Sequence, residues 1–360
     1  MKVLMQTRLD WDSRSGGDTT LMLQTAKALK GLGVEVVIDP ARTNLEGFDV
    51  VHLINTTRIN ETYRQFCHAH RQTVPVFVST IWHSMREMRR YYAHLYGLPY
   101  FPIFCYGGLR ELYYAARSRC PLNIRSVLNY RGCQRQVVTG AAAILPNSQA
   151  ELDALRAELG VEPKAFRVVP NGFDYELARA MQQKGFDRSG IVCVGRIEPH
   201  KNQARVSEAF KSLGARQERL SFYGAINKSH RRYASRFCNS LVPEWITYAG
   251  SVKQAEMYEA FACCRVCVLA SFFETTGLAA LEALACGARI VVYDSPYTRE
   301  YFRDFAIYCD PYSTVSIASA MARALEEPLQ EVPSWLQDYT WEKAALLTRA
   351  AYESFSKRTK

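Results

Sequence analysis

Two carboxylates, Glu274 and Glu282, flank Thr275-Thr276-Gly277 and a leucine–alanine run, and the segment is entered from Val266-Cys-Val-Leu-Ala-Ser-Phe-Phe273. The apolar run reads as a short strand, and Leu278, Leu281 and Leu284 among alanines read as the helix that follows it. Thr275 or Thr276 can cap that helix, leaving the amides around Gly277 and Leu278 unpaired, an arrangement that attracts phosphate. If the helix opens near Gly277, Glu282 lies about 7 Å further along it at ~1.5 Å per residue, while Glu274 stays at the mouth. A carboxylate accepts two hydrogen bonds from a vicinal diol. The spacing therefore suits a ligand with an anionic middle and hydroxyl-rich ends, such as a nucleotide sugar. A solvated Glu274 and a surface Glu282 on an ordinary amphipathic helix fit the same spacing.

Other groups could serve that ligand. Gly195-Arg196 follows the strand-like Val192-Cys-Val, and Lys201-Asn202 stands five residues on. Two cations brought together by the intervening turn can neutralise a diphosphate as charge develops on it. Gly16 and Gly17, after the first strand, let a backbone approach a phosphate or an acceptor. His83 leaves the strand-like Val76-Phe-Val-Ser-Thr80, whereas His52 sits inside Val50 to Ile54 and reads as structural. Asp10-Trp11-Asp12 spells a metal-binding Asp-x-Asp, but in the first loop, where that signature does not belong.

These residues must be carried by something larger than one core. At 360 residues the chain is long enough for two units of about 150 to 180 residues each. With 48% hydrophobic and 22% charged residues the composition is that of a soluble globular protein. The uncharged stretch 136–150 is too short and polar for the ~20 apolar residues of a membrane span. Met1-Lys-Val-Leu-Met5 runs directly into Arg8 and Asp10 without the apolar core of a secretory signal, so a cytoplasmic location is expected. Eleven cysteines lack metal-ligand spacing and read as reduced, buried thiols, with neither zinc nor structural disulfide expected.

The expected strands in the first half are Lys2 to Gln6, Val34 to Ile38, Val50 to Ile54, Val76 to Thr80 and Ala142 to Leu145, with a helix from Thr19 to Leu32. After Pro170-Asn-Gly the pattern restarts with Ile191 to Val194, Leu220 to Tyr223, Ile246 to Ala249, Val266 to Leu269 and Arg289 to Tyr293. Short apolar strands alternating with helices predict parallel sheets covered on both faces, an α/β architecture of two doubly wound halves with ligands at the carboxyl edges of the strands.

The paired glutamates, the text Glu282-Ala-Leu-Ala-Cys-Gly287, the Gly195-Arg196 turn with Lys201-Asn202, the hinge-like Val168-Val-Pro-Asn171-Gly172-Phe-Asp174, and Ser15-Gly16-Gly17-Asp18 together resemble the retaining glycosyltransferases of family 4. The resemblance runs in family order from about residue 2 to 355. It implies a GT-B fold: two Rossmann-like parallel-sheet domains facing a central cleft. Residues 1–172 would bind the acceptor, with the helix in 341–360 crossing back onto them, and residues 173–340 would bind the donor. It further implies that Glu282 takes the ribose hydroxyls and Glu274 the donor-sugar hydroxyls. Gly195, Arg196, Lys201 and Asn202 would sit at the diphosphate, the backbone of Thr276, Gly277 and Leu278 at sugar or phosphate, and His83 near the donor sugar. Glu274, His83, Arg196 and Lys201 are thus the expected catalytic set, and Gly16 and Gly17 the acceptor or phosphate loop. The implied reaction moves a hexose, with retention and without metal or cofactor, from a UDP- or GDP-linked donor to a glycan or lipid-linked acceptor of the O-antigen, capsule or lipopolysaccharide kind. A soluble acceptor, as in sucrose- or trehalose-type synthases, is the alternative, and a nonenzymatic nucleic-acid-binding protein a more distant one.

Between Arg86 and Gln136 the chain carries nine arginines against Glu87 and Glu111, interleaved with eight tyrosines and two phenylalanines, within a net charge of +10. Basic side chains with interfacial aromatics suit an anionic membrane surface contacted through Arg86, Arg89 and Arg90. RNA stacking, internal packing or a dimer contact fits the same composition.

Overall fold

The computed structural model describes residues 1–13, 16–97, 103–214 and 217–356, without the side chains of 103–106. The chain divides into two compact units. One comprises Met1–Gly172 together with Trp341–Lys360, the other Phe173–Thr340.

In the first unit the order is β1 (Lys2–Gln6), α1 (Gly17–Gly31), β2 (Glu35–Ile38), β3 (Val50–Ile54), α2 (Ile59–Arg71), β4 (Val76–Ser79), α3 (Met85–Tyr96), α4 (Ile103–Ser118), α5 (Ile124–Leu128), α6 (Tyr130–Gly140), β5 (Ala143–Ile144) and α7 (Gln149–Leu159). The strands pair in parallel in the order β2-β1-β3-β4-β5. Val3, Leu4, Met5, Val50, Val51, Leu53, Phe77 and Val78 are all buried, as apolar runs covered on both faces must be. Side-chain caps set several helix starts: Ser84 accepts from the Glu87 amide and Ser148 from the Glu151 amide.

The second unit contains α8 (Tyr175–Gln182), β6 (Ile191–Val194), α9 (Gln203–Leu213), β7 (Leu220–Tyr223), α10 (Arg231–Cys238), β8 (Ile246–Gly250), α11 (Gln254–Cys263), β9 (Val266–Leu269), α12 (Leu278–Ala285), β10 (Arg289–Tyr293), α13 (Pro296–Phe302), β11 (Ala306–Cys309) and α14 (Thr314–Glu326). Its sheet runs β11-β10-β9-β6-β7-β8, again parallel. The strand order reverses between β6 and β9, the switch point of an open α/β sheet, where loops leave in opposite directions and open a crevice.

The last helix, α15 (Trp341–Phe355), returns to the first unit and packs on α1. Tyr352 anchors it, fully buried with its ring edge-on to Phe77 at 4.9 Å and its hydroxyl 2.6 Å from His52 Nδ1. His52 also meets Ser79 Oγ at 2.9 Å, so it is a satisfied core histidine.

Two sequence expectations need correction. The strand β11 has no counterpart among the expected strands; its parallel pairing with β10 places Ala306–Cys309 at the sheet edge. Element ends also shift by a residue or so, as at β5, where only Ala143 and Ile144 pair with β4.

Candidate active site

At the switch point β6 is followed by Gly195, whose φ of 146° is open to glycine and closed to most side chains. A Cβ at Gly195 would lie 3.5 Å from Lys201 Cδ, so the lysine stem lies across this bare backbone. A 3-10 turn over Pro199–Lys201 folds the chain back, and Asn202, in the left-handed region at φ 64°, begins α9. The Asn202 amide donates to the Ala270 carbonyl at 3.1 Å and the Pro311 carbonyl at 2.8 Å. Asn202 is thus fastened to the β9 exit, and its donors are spent on backbone. Gln203 likewise donates to the Arg196 carbonyl at 2.8 Å.

From β9 the chain delivers Glu274 onto Lys201, and the two form a hydrogen-bonded ion pair. Burial alone would push the Glu274 carboxyl up; the Lys201 charge and hydrogen bond more than offset it and hold it below the ordinary carboxylate range. Arg196 is half-exposed and meets Glu198 at 3.0 Å, and Glu198 is buried and also receives the Asn227 amide at 2.8 Å. Arg196 and Lys201 are therefore each held by a carboxylate.

The start of α12 differs from the expected threonine cap. Gly277 is the cap residue, left-handed at φ 74°, and no side chain caps the helix. Thr276 is buried with its hydroxyl 3.4 Å from that of Tyr301. A Cβ on Gly277 would sit 3.2 Å from Leu269 Cδ2, so both space and backbone favour glycine. The Gly277 carbonyl receives the amides of Ala280 and Leu281, while Leu278 begins the helix and carries one of the first amides, which have no partner within it.

One and a half turns on, Glu282 is partly buried. Burial pushes its carboxyl up to about 7; the Tyr258 hydroxyl, donating at 3.3 Å, offsets only part, and the charge of Asp174 adds to the rise. Tyr258 itself receives the Asp174 amide at 3.2 Å. A carboxyl in so apolar a setting holds little of its hydrogen-bonding capacity and gains from a diol.

The remaining predicted groups lie in the first unit. His83 stands between β4 and α3 on a loop fixed by two carboxylates of α7. Glu151 accepts from the Trp82 amide at 2.6 Å and from the Thr80 hydroxyl. Glu158 accepts from the Trp82 indole at 3.0 Å, Ser84 Oγ at 2.8 Å and the Met85 amide at 2.9 Å. Gly16 caps α1 with extended backbone, its carbonyl taking the Thr20 amide at 3.0 Å, and Gly17 opens the helix. Ser15 lies outside the described residues. Beside the two glycines, Arg8 binds Asp18 at 2.7 Å and Asp10 at 3.0 Å, and Asp10 also faces Arg58 at 3.6 Å, so Asp10 of the Asp-x-Asp is held by arginines. Among the described residues there is no cluster of three or more His, Cys, Asp or Glu able to hold a metal, and the ten described cysteines are free thiols.

The sequence reading missed Glu198, Tyr258 and Asp174 as partners of the site. Glu198 was visible two residues from Arg196. Tyr258 reaches Glu282 across 24 positions, and no local signal could reveal it.

Residues 176–340 match the family model described as Glycosyl transferases group 1. The chain is 26% identical over 176 residues to the O-antigen chain mannosyltransferase B of Escherichia coli, covering 44% of each protein. It is 21% identical over 214 residues to the mannosylfructose-phosphate synthase of Agrobacterium fabrum, covering 54% of this chain and 45% of that protein. These matches span less than half the length of either relative. In fold it is similar to the sucrose-phosphate synthase of Thermosynechococcus elongatus, with a TM-score of 0.66 at 15% identity over 99% of this chain and 96% of that one. The second unit thus resembles the group 1 glycosyl transferases over residues 176–340, and the two parallel-sheet units have the fold of the GT-B class.

Proposed function

We propose that the protein is a retaining hexosyltransferase that takes its sugar from a UDP- or GDP-linked donor. The observation that carries this is the Lys201–Glu274 ion pair between the loops that leave β6 and β9 at the switch point, with the uncapped start of α12 and Glu282 following β9 in the chain. In this reading Lys201 and Arg196 move from their carboxylate partners to the donor diphosphate and stabilise charge on it as the glycosidic bond breaks. The Leu278 amide assists from the helix end, and Gly277 keeps the approach clear. Glu274, released from Lys201, accepts from the sugar hydroxyls, and Glu282 accepts from the ribose diol. Asn202 and Gly195 act by placing Lys201. The first unit supplies the acceptor, with Gly16, Gly17 and His83 at the carboxyl ends of its strands. No metal takes part.

For the acceptor, a glycan or lipid-linked glycan is favoured by the likeness to an O-antigen mannosyltransferase. The likeness to a mannosylfructose-phosphate synthase supports a soluble sugar phosphate as the second reading. A thermal-shift panel of nucleotides and nucleotide sugars, followed by turnover with the stabilising donor, tests the proposal. Stabilisation by a nucleoside diphosphate and anomeric retention in the product are expected; stabilisation by nucleic acid alone would overturn it.

A further inference from the structure

Between Glu87 and Glu151 the sequence holds a single acidic residue, Glu111. Glu111 is fully buried on α4, taking the Asn60 amide at 2.8 Å beside Arg110 at 3.8 Å. The described surface of this stretch therefore shows no carboxylate, while Arg86, Arg90, Arg119, Arg125 and Arg135 are exposed and Arg89 is half-buried. The same stretch contributes Leu109, Leu112, Tyr113, Leu122, Ile124 and Leu128 to the exposed large apolar side chains.

Those side chains are ordered on their helices. Leu109, Leu112 and Tyr113 stand at i, i+3 and i+4 on α4, one outward stripe opposite the buried Glu111 and Ala115. Ile124 and Leu128, at i and i+4 on α5, are 69% and 80% exposed. The two helices pack directly, so closely that a Cβ on Gly108 would meet the Val127 carbonyl at 2.4 Å.

We propose that the α4–α5 face docks on an anionic lipid bilayer, the aliphatic side chains entering the interface and Arg119 and Arg125 reaching headgroup phosphates. The inference extends the lipid-linked acceptor reading and rests on observations separate from the donor groups. Charge decides against a second copy, since a face-to-face pair would oppose like arginines with no exposed acid between them. The ring in this stripe, Tyr113, already lies under the Arg117 guanidinium at 5.4 Å, and the other side chains named are aliphatic, which favours a bilayer over base stacking. Aliphatic stripes flanked by arginine are what an interfacial helix presents.

The test is co-sedimentation of the full chain with phosphatidylcholine vesicles, with and without phosphatidylglycerol. Wild type should pellet with the anionic vesicles and dissociate as salt rises. Arg119→Gln with Arg125→Gln should weaken binding about fivefold per charge, the ratio equivalent to about 1 kcal/mol. Ile124→Ser with Leu128→Ser should weaken it at least tenfold, and Val315→Ser, an exposed position of α14, should leave it unchanged. Thermal shifts with soluble nucleotide should persist in all variants, which separates this proposal from the donor-site reading. No binding by wild type, or full binding by Ile124→Ser/Leu128→Ser, overturns the proposal. So does a wild-type dimer that this double variant dissociates, or a preference for RNA over vesicles.

Discussion

The Lys201 ammonium rests on the Glu274 carboxylate, joining the loops that leave β6 and β9 on either side of the sheet's switch point. In the proposed reading a diphosphate competes with Glu274 for that cation. Lys201→Ala should therefore lower nucleoside diphosphate affinity by about 1.5 to 3 kcal/mol, the cost of one charge-assisted contact, while the chain stays folded. Glu274→Gln should bind the bare diphosphate at least as well as wild type but lose sugar transfer. Calorimetric titration with UDP and GDP separates the two, and wild-type affinity and turnover in both variants would remove the assignment.

Glu282 should make the fold less stable as pH rises. Its carboxyl is raised from about 4.5 unfolded to about 7 folded, so the native state binds the extra proton between those values and stability falls across that window. Glu282→Gln is expected to stabilise the second unit at pH 8 by up to about 3 kcal/mol, with the gain vanishing below about pH 4.5. The same substitution should weaken nucleoside binding, whose wild-type affinity should climb through about pH 7 as the carboxylate forms. Denaturant melts at two pH values check the first statement and titrations the second.

Acid should act on the first unit through His52, which burial holds down to about 3. The unfolded histidine binds a proton near 6.5, so this neutral ring contributes stability above that pH which is lost as pH falls toward 3. His52→Asn should flatten the acid limb of the stability curve, and an unchanged slope would assign acid unfolding to other groups.

Gly277→Ala should cost about 1 to 3 kcal/mol, because its φ of 74° and the 3.2 Å approach of Leu269 both resist a side chain. The expected readouts are a lower denaturant midpoint and weaker diphosphate binding. Retention of both would show that the turn adapts.

Chelation should leave turnover unchanged. A strict requirement for a divalent ion, restored by adding it back, would contradict metal-free transfer and return attention to Asp10 and Asp12.

Much of the second unit is legible in the sequence because its parallel strands are buried on both faces and read as unbroken apolar runs, and because Glu274, Gly277 and Glu282 lie within one strand–turn–helix segment. What escaped depends on long-range contact. Glu282 owes its raised proton affinity to burial and to the charge of Asp174, with the Tyr258 hydroxyl, 24 positions away, offsetting only part of the rise. The α12 cap misled because threonine favours that position by propensity, yet the Thr276 hydroxyl is drawn to Tyr301 in the fold. The arginine-rich stretch announced its charge but concealed its geometry: only the helices show that Ile124 and Leu128 face outward.

The return of α15 to the first unit has a consequence for synthesis. Residues 173–340 emerge from the ribosome as one uninterrupted block and can close their sheet while the chain is still growing. The first unit must wait for its final 20 residues before Tyr352 can fill the space against Phe77 and His52. A chain truncated after Thr340 should therefore carry a protease-resistant second unit and a susceptible first one, so that residues 341–360 commit the earlier part of the first unit to its native form.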